Sequence, residues 1–115
     1  MSGRHGLSEK TVNAIRGVFA RHAAVEEAIL FGSRAKGNYK PGSDIDLVLR
    51  GSSLNQRTLN RIYEELDDLP IPYGLSLVLS SKVTDPEVEA HIRRVGIVFY
   101  ERDAASINAT ESRLH

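Results

Sequence analysis

Residues 31–49 read FGSRAKGNYKPGSDIDLVL, and the division of that stretch into strand, turn, loop and strand decides the architecture. The apolar run VEEAILF ends at Gly32, a residue type that tolerates a tight turn and close backbone approach. Ser33 to about Lys36 then reads as the first turn of a helix. NYKPGS carries the Asn, Pro, Gly and Ser of a loop. DIDLVLR alternates, so that Ile45, Leu47 and Leu49 share one face and Asp44 and Asp46 the other.

Upstream, LSEKTVNAIRGVFARHA places Val12, Ile15, Phe19 and Ala23 at helical spacing with Ser8 as the N-cap. Downstream, LNQRTLNRIYEELDDL gives a second helix with Leu59, Ile62, Tyr63, Leu66 and Leu69 as its apolar stripe, closed by Pro70 and Pro72. YGLSLVLS is a third strand with Leu75, Leu77 and Leu79 on the core face and Gly74, Ser76 and Val78 on the reverse. DPEVEAHIRRVG reads as a helix with Asp85 as N-cap, Pro86 at its first position, Val88, Ile92 and Val95 facing inward, and Gly96 as the stop. IVFYE is the last strand, and residues 103–115 form a polar tail. Strands alternating with helices predict an α/β (α+β) layer, a mixed sheet with helices mainly on one face, leaving the other face for a site.

The chain of 115 residues, 41% apolar and 26% charged, matches one domain spanning 1–115 with its core at about 8–102. Fifteen basic residues balance fifteen acidic ones. A phosphate-bearing ligand therefore needs a local site, and bulk nucleic-acid binding is disfavoured. There is no cysteine, which excludes a disulfide framework and fits a reducing cytoplasm. No apolar stretch approaches the ~20 residues of a membrane helix. The expectation is a soluble cytoplasmic protein.

Two carboxylates two apart on a strand project together and can bind one hard cation such as Mg²⁺. Without a cation their repulsion raises the pKa of one of them. Alone, D-x-D more often caps a strand edge. The Gly32–Ser33 turn changes that balance, because its backbone N–H groups and hydroxyl can meet a phosphate whose metal sits on Asp44 and Asp46. Arg34 and Lys36 offer further positive charge, or are simply solvated. Tyr39 could stack on a base, although packing is its commoner use. GSRAKGNY lacks the Lys-Ser/Thr ending of a Walker A loop. The four histidines show no metal-ligand spacing.

GS, ten residues, then DID resembles the signature of the minimal nucleotidyltransferases of the DNA polymerase beta superfamily. The likeness extends through the helix before it, the PY strand after it and the closing HIRRVGIVFYER, over residues 8 to 102. Many small members resemble antitoxins paired with HEPN-domain toxins, using ATP and Mg²⁺ to move AMP onto a partner tyrosine and silence a ribonuclease. The resemblance implies a nucleotidyltransferase fold, Gly32 and Ser33 as triphosphate contacts, Ser43 as the family's usual serine, and Asp44 and Asp46 as metal ligands. A chain of this length is expected to leave the acceptor surface to a partner in a hetero-complex, and the resemblance implies that this partner is a HEPN-domain toxin.

One position departs from that pattern. Active members carry a third carboxylate in a segment resembling PYxxDL, and the matching segment PYGLSL has Ser76 there. Alternation independently puts Ser76 on the face of Asp44 and Asp46. Three accounts stay open: a chain that binds nucleotide and partner but transfers poorly, a carboxylate recruited from Asp67, Asp68, Glu87 or Glu101, or a looser requirement for the third acid.

Overall fold

The computed structural model describes residues 6–102. The order is α1 (Glu9–Ala20), β1 (Glu27–Phe31), α2 (Gly32–Lys36), β2 (Ile45–Arg50), α3 (Gln56–Asp67), β3 (Leu75–Leu79), a 3₁₀ turn (Ser80–Lys82), α4 (Pro86–Val95) and β4 (Ile97–Glu101). The expected tail at 103–115 lies outside the described residues.

Local chemistry starts α1, α3 and α4, whereas α2 follows directly on β1 with no side-chain cap. Ser8 accepts a hydrogen bond from the Thr11 N–H at 3.1 Å, Asn55 from Thr58 at 2.9 Å, and Asp85 from Glu87 at 2.9 Å with Pro86 following. Each cap satisfies one of the donors that a helix start leaves unpaired.

The strands form one mixed sheet in the order β3-β2-β1-β4. β1 runs antiparallel to both neighbours, and β3 lies parallel to β2 by way of the α3 crossover. Ile45, Leu47 and Leu49 of β2, with Ala28 and Leu30 of β1, are fully buried against Ile15 and Phe19 of α1 and Ile62 and Leu66 of α3. A break in register on β1, between Ala28 and Ile29, lets consecutive Phe99 and Tyr100 both reach this core, with Tyr100 packed on Phe19 at 5.6 Å between ring centroids.

On the reverse face, α4 lies against β1 and α2, and no residue of α4 is fully buried. Three expectations of inward packing are corrected here. Val88 is 41% and Tyr63 46% exposed, and Ala23 lies in an exposed turn beyond the end of α1. Periodicity marks an apolar stripe but not how much of it a neighbour reaches. Gly96 ends α4 in an extended conformation, φ −62°, rather than a left-handed one. Glycine is required there by space, since a Cβ would stand 2.3 Å from the Ile92 carbonyl oxygen and 2.7 Å from Ile29 Cγ2. Among the described residues no helix is long and apolar enough to cross a membrane.

Glu65 of α3 fastens the end of α1, its two oxygens lying 2.7 Å from His22 Nε2 and 3.0 Å from Arg21 Nη2. Hydrogen bonds from His22 first, then Arg21, hold its carboxyl below the usual range. A depressed carboxylate stabilises the fold above its unfolded pKa of about 4.3 and loses that contribution as pH falls through its folded value. The gap in melting temperature between wild type and Glu65→Gln is therefore expected to be open at pH 6 and to close below about pH 4. Calorimetric scans across that range check it, and a gap independent of pH would rule the linkage out.

Candidate active site

The site is assembled from three strand ends. β1 ends at Phe31, which pairs with Asp46 across the antiparallel ladder, and Asp46 pairs with Ser76 across the parallel one. Side chains at paired positions stand on the same face. Asp46 is therefore flanked by position 31 on one side and position 76 on the other. Asp44 sits just before β2 and is exposed, whereas Asp46 is half-buried.

Two glycines make room for the carboxylates. Gly32 has φ +76°, and a Cβ on it would lie 2.3 Å from Asp46 Oδ2. A Cβ on Gly74 would lie 2.6 Å from Asp44 Oδ1. The sequence singled out Gly32, and the structure adds Gly74 as its counterpart. Gly32→Ala is expected to cost about 1–3 kcal/mol in backbone strain and to displace the Asp46 carboxylate. Gly37 is the control: its φ is +88° with nothing within 4 Å of an added Cβ, so Gly37→Ala carries the strain alone. Titration calorimetry with Mn²⁺ is expected to show weakened binding in Gly32→Ala only. Equal binding in both variants would mean the carboxylate does not need this cradle.

Burial first, then the neighbouring charge of Asp44, raises the pKa of Asp46. A cation between the two acids would reverse both costs. The donor set suits Mg²⁺, which takes hard oxygen ligands and fills its remaining positions with waters or phosphate oxygens. Among the described residues no group of three or more His, Cys, Asp or Glu side chains is placed to hold a metal. Asp67, Asp68, Glu87 and Glu101 thus do not join Asp44 and Asp46, and Ser76, exposed beside Asp46, brings no charge. The residues fit one shared ion.

The remaining predicted contacts are placed as follows. Ser33 is half-buried in the first turn of α2, and Lys36 is exposed at its end. The Ser43 hydroxyl accepts the Lys40 N–H at 2.9 Å, which closes the loop on itself. The solvated alternative for Arg34 is corrected: the side chain is 2% exposed, its Nε and Nη2 donating to the Ser43 carbonyl oxygen at 3.0 and 2.8 Å. Its guanidinium also stacks on the rings of Tyr39 and Tyr73, 5.0 and 4.8 Å from their centroids. Tyr39 accordingly packs within the protein. A groove of about 350 Å³ lies away from the carboxylates, between α4 and the sheet, with Ile29, Val48, Ile92 and Val98 among its walls. The carboxylates are the chemically distinctive feature, and the groove is not their pocket.

The family profile described as "Polymerase beta, Nucleotidyltransferase" matches residues 13–105. The chain belongs to that family. Its fold is that of the minimal nucleotidyltransferase domains. A chain from a toxin-antitoxin crystal structure with AMP-PNP is similar at 16% identity and a TM-score of 0.63, over 87% of this chain and 82% of that one. A chain from the tri-AMPylated Shewanella oneidensis HEPN toxin in complex with MNT antitoxin is similar at 14% identity and a TM-score of 0.60, over 85% of this chain and 76% of that one. A "putative nucleotidyltransferase" from Sulfolobus solfataricus is similar at 19% identity and a TM-score of 0.54, over 82% of this chain and 80% of that one. No curated protein matches the chain.

Proposed function

We propose that this domain binds Mg²⁺–ATP over Asp44 and Asp46 and transfers AMP to a hydroxyl, a tyrosine in the leading reading, of a HEPN-domain toxin, neutralising it as an antitoxin. The observation that supports the reading is how closely Gly32 approaches the Asp46 carboxylate, an added Cβ there standing 2.3 Å from Oδ2, which would set a phosphate-holding turn beside the proposed metal ligands. The partner is argued from the solved complexes of the same fold, one crystallised with AMP-PNP and one described as holding a tri-AMPylated HEPN toxin.

In this scheme Gly32 and Ser33 hold the triphosphate, Lys36 adds charge, and Ser43 shapes the loop ahead of Asp44. The acceptor oxygen forms a bond to the α-phosphorus, the bond to the bridging oxygen breaks, pyrophosphate leaves, and the hydroxyl proton passes to solvent. Asp44 and Asp46 would hold the cation, which would supply charge neutralisation at the phosphates. The residues orient the chain of phosphates for in-line displacement.

A second reading is favoured by one observation, the serine opposite Asp46 where a third acid would accept the hydroxyl proton. On that reading the chain holds nucleotide and partner and neutralises by complex formation. Incubation with α-labelled ATP, Mg²⁺ and a purified HEPN-type protein encoded beside it separates the two. Label on the partner supports transfer, a tight unlabelled complex supports the binding subunit, and neither label nor complex rejects both.

A further inference from the structure

Arg34 is the largest of the fully buried side chains, and it is a cation. Burying a guanidinium costs several kcal/mol unless charge-assisted hydrogen bonds and polarisable surfaces replace its water. Here two donors converge on the Ser43 carbonyl oxygen and the rings of Tyr39 and Tyr73 take its charge. Backbone covers it as well: a Cβ on Gly6 would stand 2.5 Å from Tyr39 Cε2 and 2.9 Å from Arg34 Nη1.

These partners come from the segments that border the carboxylates. Arg34 rides on α2, which begins at Gly32 against Asp46. Ser43 and Tyr39 belong to the loop that delivers Asp44. Tyr73 precedes Gly74, whose Cα adjoins Asp44 Oδ1 and whose carbonyl accepts the Ile45 N–H at 2.9 Å. One side chain thus ties the phosphate-side turn, the loop before β2 and the entry to β3.

We propose that Arg34 is a positioning residue for the carboxylate pair: it fixes the turn at Gly32, the Ser43–Asp44 backbone and the Tyr73–Gly74 segment in the arrangement that lets Asp44 and Asp46 share a cation. The inference rests on the reading of those two aspartates as metal ligands. It assigns Arg34 a role apart from phosphate binding, because its Nε and Nη2 already donate to a carbonyl in the interior. Lysine cannot replace it, since an ammonium has neither the flat face for two rings nor the fork for two parallel donations.

The test has two arms, both on the full chain. Amide hydrogen exchange without ligand follows Ser43, bonded to the Lys40 carbonyl, and Ile45, bonded to the Gly74 carbonyl, both at 2.9 Å. Free-Mn²⁺ electron paramagnetic resonance reads cation affinity without any need for turnover. Arg34→Lys and Arg34→Met are expected to behave alike, with exchange at both amides faster by about tenfold or more and Mn²⁺ binding weaker by about tenfold. Tyr73→Leu is expected to move both readouts the same way and Tyr73→Phe to restore them, which keeps the test informative should the arginine variants fail to fold. Arg34→Lys and Arg34→Met matching wild type in both arms would overturn the proposal, and weaker ATP binding in Arg34→Met, read by calorimetry, would then make Arg34 a phosphate ligand. If wild type binds no Mn²⁺, the metal-site reading falls. Unchanged exchange in Arg34→Lys and Tyr73→Leu overturns the clamp by itself.

Discussion

Substituting Ser76 with aspartate is expected to raise nucleotidyl transfer by on the order of 10²–10⁴-fold, the usual worth of a positioned general base. The argument is one of register. Position 76 pairs with Asp46 in the parallel ladder and is exposed, so a carboxylate placed there displaces no core atom and faces the reacting side. The added acid brings a third negative charge beside a pair that already raises the pKa of Asp46 through burial and repulsion. The variant is therefore also expected to melt lower without metal and to gain more than wild type from added Mg²⁺, by mass action on the folded state. Radiolabel transfer and melting with and without Mg²⁺ read the two effects. No gain in either would show that the slot does not address the cation.

Asp46→Asn is expected to go the opposite way in activity and, without ligand, upward in stability. The sign follows from the direction of its pKa. A carboxyl whose folded pKa is raised holds its proton in the folded state at pH values where the unfolded chain has lost it, so ionisation through that window destabilises the fold. Asparagine removes both the desolvated charge and the repulsion with Asp44. The variant should melt above wild type at neutral pH, converge with it in acid, and show no rise in melting temperature on adding Mn²⁺. Transfer should fall by roughly 10³-fold, the equivalent of about 4 kcal/mol of charge stabilisation at the phosphates. A variant that melts lower than wild type at pH 7 would mean that Asp46 serves the fold rather than the ligand.

Much of this arrangement is legible in the amino-acid sequence alone. The caps Ser8 and Asp85, the four strands and the alternation of β2 and β3 are local signals, each written within a few residues. Alternation alone put Ser76 on the face of Asp44 and Asp46, as the pairing with Asp46 bears out. Contacts between distant segments were not legible. Nothing near Arg34 announces that Tyr73, thirty-nine residues on, supplies one of the faces that bury it. The His22–Glu65 contact likewise joins the turn after α1 to α3 across 43 positions. Tyr63 and Val88 lie on real amphipathic stripes, but the width of cover over a stripe depends on where neighbouring elements stop. Gly74 sat in view beside Tyr73, yet its closeness to Asp44 depends on the pairing of two strands and not on its own neighbours.

The parallel pairing of β2 with β3 bears on how the molecule matures. Gly32 and Asp46 meet through an antiparallel pairing of adjacent strands, whereas Gly74 and Ser76 arrive only when the chain segment containing α3 has folded back. Such closures carry the larger loop entropy and form slowly. A nascent chain halted before that step would own an acidic strand with an open flank and would grip a cation weakly, so tight ligand capture would serve as a gauge of completed folding.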